Sequence, residues 1–160
     1  MNEEAKCFSR NAYMNEFFMK KALEEAQKAF EKDEVPVGAV IVRNGEIIAT
    51  AHNSRELSKD ATAHAEMLAI REACEKLGGW RLLDCDMYVT LEPCSMCSGA
   101  ILQARIERLY IGTMDPKGGA AGSILNLFED YHFNHKTEVI KGILEDECSQ
   151  ILKDFFKRKR

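Results

Sequence analysis

The chain is poor in the residues that dominate non-globular proteins. Three prolines and ten glycines in 160 residues exclude a collagen-like or linker-like chain. No run approaches the ~18 apolar residues of a membrane span. Met1 to Arg10 carries Glu3, Glu4 and Lys6 and lacks the apolar stretch of a secretory signal. The expected compartment is therefore the cytoplasm, with no membrane contact. Positive charge is not in excess. Twenty-two basic against 26 acidic residues leave a net charge of −4, which does not by itself announce a nucleic-acid binder. Repeats, low-complexity tracts and long linkers are missing too. What is there is an ordinary globular balance, 46% hydrophobic and 30% charged, enough to bury one core. Residues 14–160 read as a single domain, and residues 1–13 as a flexible N-terminal extension.

Hydrophobic spacing supplies the elements. Residues 14–32 are predicted helical, with Met19, Ala22, Leu23, Ala26 and Phe30 on one stripe. Strands Val37–Arg43 and Glu46–His52 flank Asn44-Gly45, a two-residue hairpin signal because both residues tolerate positive φ. A helix from about His64 to Leu77 is expected to bury Met67, Ile70, Cys74 and Leu77, and to stop at Gly78-Gly79. Met87–Leu91 is a short strand. Pro93 is expected at the first position of the next helix, with Cys94, Cys97, Ile101 and Ala104 on one face. Arg108–Ile111 gives a fourth strand and Val139–Ile140 a weak fifth. Between them lie the Gly-rich segment Asp115–Gly122 and a helical turn near Ile124–Phe128. The last helix opens on Glu145, Asp146 and Glu147 and ends basic, as the helix dipole favours. This order predicts a layered α/β domain around a five-stranded mixed sheet.

The six cysteines, at 7, 74, 85, 94, 97 and 148, are of two kinds. Disulfides are not expected where thiols are kept reduced. Cys74, Cys85 and Cys148 read as core residues and Cys7 as part of a mobile end. Only Cys94 and Cys97 have ligand spacing. They form Pro-Cys-x-x-Cys at a helix start, thirty positions after His64-Ala65-Glu66, another helix start. Helix N-termini favour thiolate over thiol. His64 with the two thiolates makes three ligands, and a fourth tetrahedral position left open marks a catalytic zinc rather than a structural one. Zinc there lowers the pKa of water to ~7 and yields hydroxide at neutral pH. Glu66, two residues from His64, reaches the same site only if His64 sits where the chain enters the helix. It is then a proton shuttle. Other readings are a redox pair, half a structural zinc site, or a site closed by His52 or His135.

Together, His-x-Glu and Pro-Cys-x-x-Cys are the signature of zinc-dependent base deaminases. The wider match is more specific. Glu34-Val35-Pro36-Val37-Gly38-Ala39-Val40, Thr62-Ala63-His64-Ala65-Glu66, Thr90-Leu91-Glu92-Pro93-Cys94-Ser95-Met96-Cys97-Ser98-Gly99-Ala100, the Asp115–Ser123 segment, Asn134-His135, residues 142–148 and Asp154-Phe155-Phe156 resemble the bacterial tRNA-specific adenosine deaminases of the cytidine-deaminase-like superfamily. The resemblance spans roughly residue 14 to the end. It implies a three-layer α/β/α sandwich, one zinc per subunit and a homodimer with active sites near the interface. The implied reaction is hydrolytic conversion of adenosine to inosine at the wobble position 34 of a tRNA, an arginine tRNA, bound by its anticodon stem-loop. It also implies Asn53 as the amide that binds the purine, with Ala65 in the same pocket. Asp115, Lys117, Asn134 and His135 would touch flanking nucleotides.

The residues alone leave alternatives. Asn53 after a strand, and Asp115-Pro116, also read as turn residues. Lys157, Arg158, Lys159 and Arg160 are either phosphate contacts or a solvated tail that compensates a helix dipole. The zinc motifs equally fit a deaminase of free cytosine, cytidine or guanine. A non-catalytic zinc-stabilised RNA-binding module is the third reading, and Glu66 counts against it.

Overall fold

The structure, a computed structural model, describes residues 2–160, and for residues 5–9 the backbone alone. Its elements are α1 (Glu3–Glu31), β1 (Gly38–Arg43), β2 (Glu46–His52), α2 (Arg55–Ser58), α3 (Ala65–Leu77), β3 (Cys85–Leu91), α4 (Ser95–Gln103), β4 (Arg108–Thr113), β5 (Glu138–Lys141) and α5 (Glu145–Arg158). Asn44 and Gly45 both take positive φ, 51° and 77°, and turn β1 into β2 as their chemistry requires. The first helix begins at Glu3 rather than Met14, so part of the segment read as an extension is helical. The side chain of Cys7 lies outside the described part.

The sheet has five strands in the order β2-β1-β3-β4-β5. β1 pairs antiparallel with β2 and β3, while β3, β4 and β5 run parallel. Parallel neighbours need a crossover, and α4 is the one between β3 and β4. Alternation along the strands splits the core in two. Ala39, Ile41, Met87, Val89, Leu109 and Ile111 face α3 and α4. Val40, Val42, Tyr88 and Tyr110 face α1 and α5, against Phe18, Met19 and Cys148. This is the expected three-layer α/β/α sandwich. Gly38 lets α1 cross close over β1: a Cβ there would stand 2.6 Å from the Ala26 nitrogen and 2.9 Å from the Glu25 Cβ.

Three details differ from the sequence expectation. Helix α3 seats itself through Ala65, Ala69, Ile70 and Ala73, while Met67, Cys74 and Leu77 are half-buried. Alanines bring the helix axis closer to the sheet than a Met–Leu stripe would. Helix α4 starts at Ser95, not Pro93. The Glu92 N–H still donates to the Thr113 carbonyl at 2.8 Å, so the chain stays extended and Cys94 becomes the N-cap, φ −72° and ψ 179°. The helical turn expected near Ile124–Phe128 is a single turn set two residues later, closed by the Asp130 N–H donating to the Asn126 carbonyl at 3.1 Å. An isolated bridge joins Ala121 and Asn126, and the Asn126 side chain accepts the Phe128 N–H at 3.1 Å, a turn-forming bond that competes with helix. Cys85 and Cys148 are buried as expected, and burial pushes their thiols up to about 11 and 12.

Candidate functional site

Two helix starts face each other across the sheet end. His64 is the N-cap of α3, extended at φ −79° and ψ 151°. Cys94 is the N-cap of α4, and Cys97 lies in that helix's first turn. Because His64 stands just outside its helix, its ring and the Glu66 side chain need not diverge as two residues inside a helix would. The donor atoms of His64, Cys94 and Cys97 lie within 4.8 Å of one another, the single such group among the described residues. His64 Nδ1 is 3.7 Å from Cys94 Sγ and 3.5 Å from Cys97 Sγ. Tetrahedral zinc, with Zn–S of ~2.3 Å and Zn–N of ~2.0–2.1 Å, needs donors about 3.6 Å apart. The three residues therefore fit that ion.

Neither histidine weighed as a fourth ligand joins the group. His52 Nδ1 meets Glu25 Oε2 at 2.9 Å, and His135 Nε2 meets the Ile106 carbonyl at 2.8 Å. Electrostatics favour the thiolate at Cys94 and keep the shared proton on its neighbours. Hydrogen bonds from Cys97, then His64, bring the Cys94 thiol down to about 3, while its bond to Cys94 raises the His64 imidazole. Cys97 is pushed upward, first by sharing its proton with Cys94 and then by burial. Glu66 is 3% exposed, and burial raises its carboxyl above the usual range. It thus has a ready affinity for a proton.

The triad opens into a cleft of about 1070 Å³. His64, Glu66, Cys94 and Asn53 stand on its walls. Asn53 Oδ1 accepts the Ala65 N–H at 2.9 Å, which satisfies a free donor at the start of α3. The oxygen being engaged, the amide NH2 is the group left to face a ligand. Ala65 is buried and meets the cleft only through this bond to Asn53. Asp115 and Lys117 line the cleft too. Asp115 is also the turn initiator of its alternative reading, since its Oδ1 accepts the Lys117 N–H at 3.0 Å. Lys157, Lys159 and Arg160 line the same cleft. Arg158 turns away: it donates to the Phe30 carbonyl at 3.2 Å and to Asp33 at 3.1 Å, and stacks on the Phe30 ring.

Asn134 and His135 do not line this cleft. Asn134 lines a smaller one of about 280 Å³ with Leu102, Arg105 and Phe133. The cleft holds residues that the sequence did not single out for it. Arg55, Lys153 and Phe156 line it; the helical spacing from Lys153 to Phe156 and Lys157 was the available signal. Glu92, 2% exposed, also lines it and had no signal beyond its place in a motif.

A family model described as MafB19-like deaminase matches residues 14–160. The tRNA-specific adenosine deaminase of Bacillus subtilis is 54% identical over 146 residues, 91% of each chain. That of Aquifex aeolicus is 52% identical, over 91% of this chain and 95% of its own. A structure solved for A-to-I editing by tRNA:A34 deaminases at the wobble position of transfer RNA superposes with a TM-score of 0.82, at 51% identity, over 85% of this chain and 99% of the other. A guanine deaminase from Nitrosomonas europaea superposes with a TM-score of 0.74 at 25% identity, over 88% and 83%.

Proposed function

This chain belongs to the tRNA-specific adenosine deaminase family, and from that premise we propose that it converts adenosine to inosine at the wobble position of a tRNA, using one zinc ion per subunit. One arrangement carries the reading: His64, Cys94 and Cys97 converge beside the buried Glu66, at the floor of a cleft whose rim holds Lys153, Lys157, Lys159 and Arg160. A zinc ion held by those three residues supplies a Lewis acid that makes water nucleophilic at neutral pH. The chain's own groups do the rest. Asn53 orients the purine through its amide NH2. Glu66 takes a proton from the attacking water and delivers it to a ring nitrogen. It then takes the second proton, from the hydroxyl now on C6, and passes it to the amine as the C6–N bond breaks, so adenosine and water become inosine and ammonia. A loop base is already unpaired, so placing it in the cleft costs little unstacking energy. The basic rim would hold neighbouring phosphates.

The sequence resemblance points to an arginine tRNA and a homodimer in the cytoplasm. Among the described residues no helix is long and apolar enough to cross a membrane. Asn134 and His135, set away from their own subunit's cleft, would serve as nucleotide contacts in the cleft of a second subunit. A second reading, deamination of a free base, draws on the likeness to a guanine deaminase. Incubation with unmodified tRNAs and, separately, with free adenosine, cytidine, cytosine and guanine decides between them. Inosine in tRNA alone is the expected outcome. Ammonia from a free base with tRNA untouched would replace the proposal with the second reading.

A further inference from the structure

After β4 the chain enters the segment of residues 115–123, which brings Asp115 and Lys117 to the cleft wall. With glycines at 118, 119 and 122, this segment has little intrinsic preference for one conformation. Glu92 supplies what the loop lacks. Its Oε1 accepts the Asp115 N–H at 2.9 Å, and its Oε2 accepts the Ala121 N–H at 2.9 Å and the Ser123 N–H at 3.1 Å. The Ser123 hydroxyl donates to Oε1 as well. No lysine or arginine pairs with this carboxylate among the described residues, so the loop's own donors offset its burial. Gly119 is the matching half of the device, since a Cβ there would overlap the Glu92 carboxylate. Next to it, the Pro93 carbonyl accepts the Ala120 N–H at 2.8 Å.

We propose that Glu92 is a positioning residue: it locks the 115–123 loop to the strand end that delivers Cys94, and so sets where Asp115 and Lys117 stand against the nucleotide bound at the ligand triad. With both oxygens occupied by loop donors, Glu92 itself is neither base nor ligand. The proposal rests on the deaminase reading for its substrate, but not for the loop geometry.

The test is Glu92→Gln, which keeps size and loses charge. An amide offers one acceptor oxygen. Placed against Ala121 and Ser123, it turns its NH2 toward Asp115, whose N–H then has no partner. Amide hydrogen exchange, metal content and steady-state kinetics on an anticodon stem-loop are measured on the zinc-loaded protein. We expect faster exchange at Asp115 with α3 and α4 unchanged, an undiminished metal content, and a KM raised roughly tenfold with kcat within about twofold, the pattern of lost substrate positioning. Ser123→Ala, which leaves the carboxylate in place, should move the same quantities less and guards against a misfolded first variant. Unaltered loop exchange in both variants overturns the proposal, as does a fall in kcat at constant KM. If the wild type leaves the stem-loop untouched, the deaminase reading fails, and the exchange data still decide whether Glu92 holds the loop.

Discussion

At the scale of single residues, the site depends on where each side chain stands relative to a helix start. Glu66 is expected to move protons and not to bind metal. Glu66→Ala should therefore keep its zinc and lose about a hundred- to ten-thousand-fold in turnover, the span of general acid–base effects, as read by metal analysis alongside an inosine assay. Turnover within a few-fold of wild type would remove it from the mechanism. Asn53 accepts the Ala65 N–H and, on the proposed function, would also hold the purine. Asn53→Ala should lower unfolding free energy by about 1–2 kcal/mol, the cost of a capping bond, and abolish most activity on RNA without unfolding the protein. Denaturant unfolding and a kinetic assay separate the two effects. The triad and Glu66 were legible in the sequence because each is a residue type at a fixed spacing. Glu92 was not: its partners lie on a loop more than twenty positions away, and nothing local marks a carboxylate that will be covered by backbone donors.

Elements carry the next set of expectations. The basic end of α5 divides its labour. Arg158 ties the helix to Phe30 and Asp33 near the end of α1, and Lys157 and Arg160 face the cleft. Removing Lys157 and Arg160 by paired alanine substitution should weaken tRNA binding and reduce the slope of log affinity against log salt by about 0.7–0.9 per lost phosphate contact. Arg158→Ala should leave that slope alone. Binding titrations across a salt series check both, and an unaltered slope in the paired variant would mean a tail that is merely solvated. Sequence composition showed the charge cluster but not its division, because which cation meets a carboxylate depends on how α5 lies against α1. Element types were mostly legible from periodicity. The boundaries that slipped did so where tertiary bonds overrode local preference, as when the bond from Glu92 to Thr113 kept the chain extended into the proline and delayed the helix to Ser95.

For the molecule as a whole, stability should fall in acid through α1 and β2. Burial raises the Glu25 carboxyl, but hydrogen bonds from Lys28 and His52 outweigh it and leave the group below the usual carboxylate range. A carboxylate held low in the folded state stabilises above its unfolded pKa, and that contribution disappears as pH falls through the lower folded value. Glu25→Gln should therefore flatten the acid limb of a melting-temperature profile, and the difference between the two proteins should shrink as pH falls through the lowered folded value. The division of the sheet has a consequence during synthesis. Chains emerge N-terminus first and fold in that order. His64, Cys94 and Cys97 leave the ribosome before the end of β4 and the glycine-rich loop exist to complete the cleft around them. For that interval two neighbouring sulfurs stand open to oxidants, and a zinc ion bound early by the proposed ligands would shield the pair.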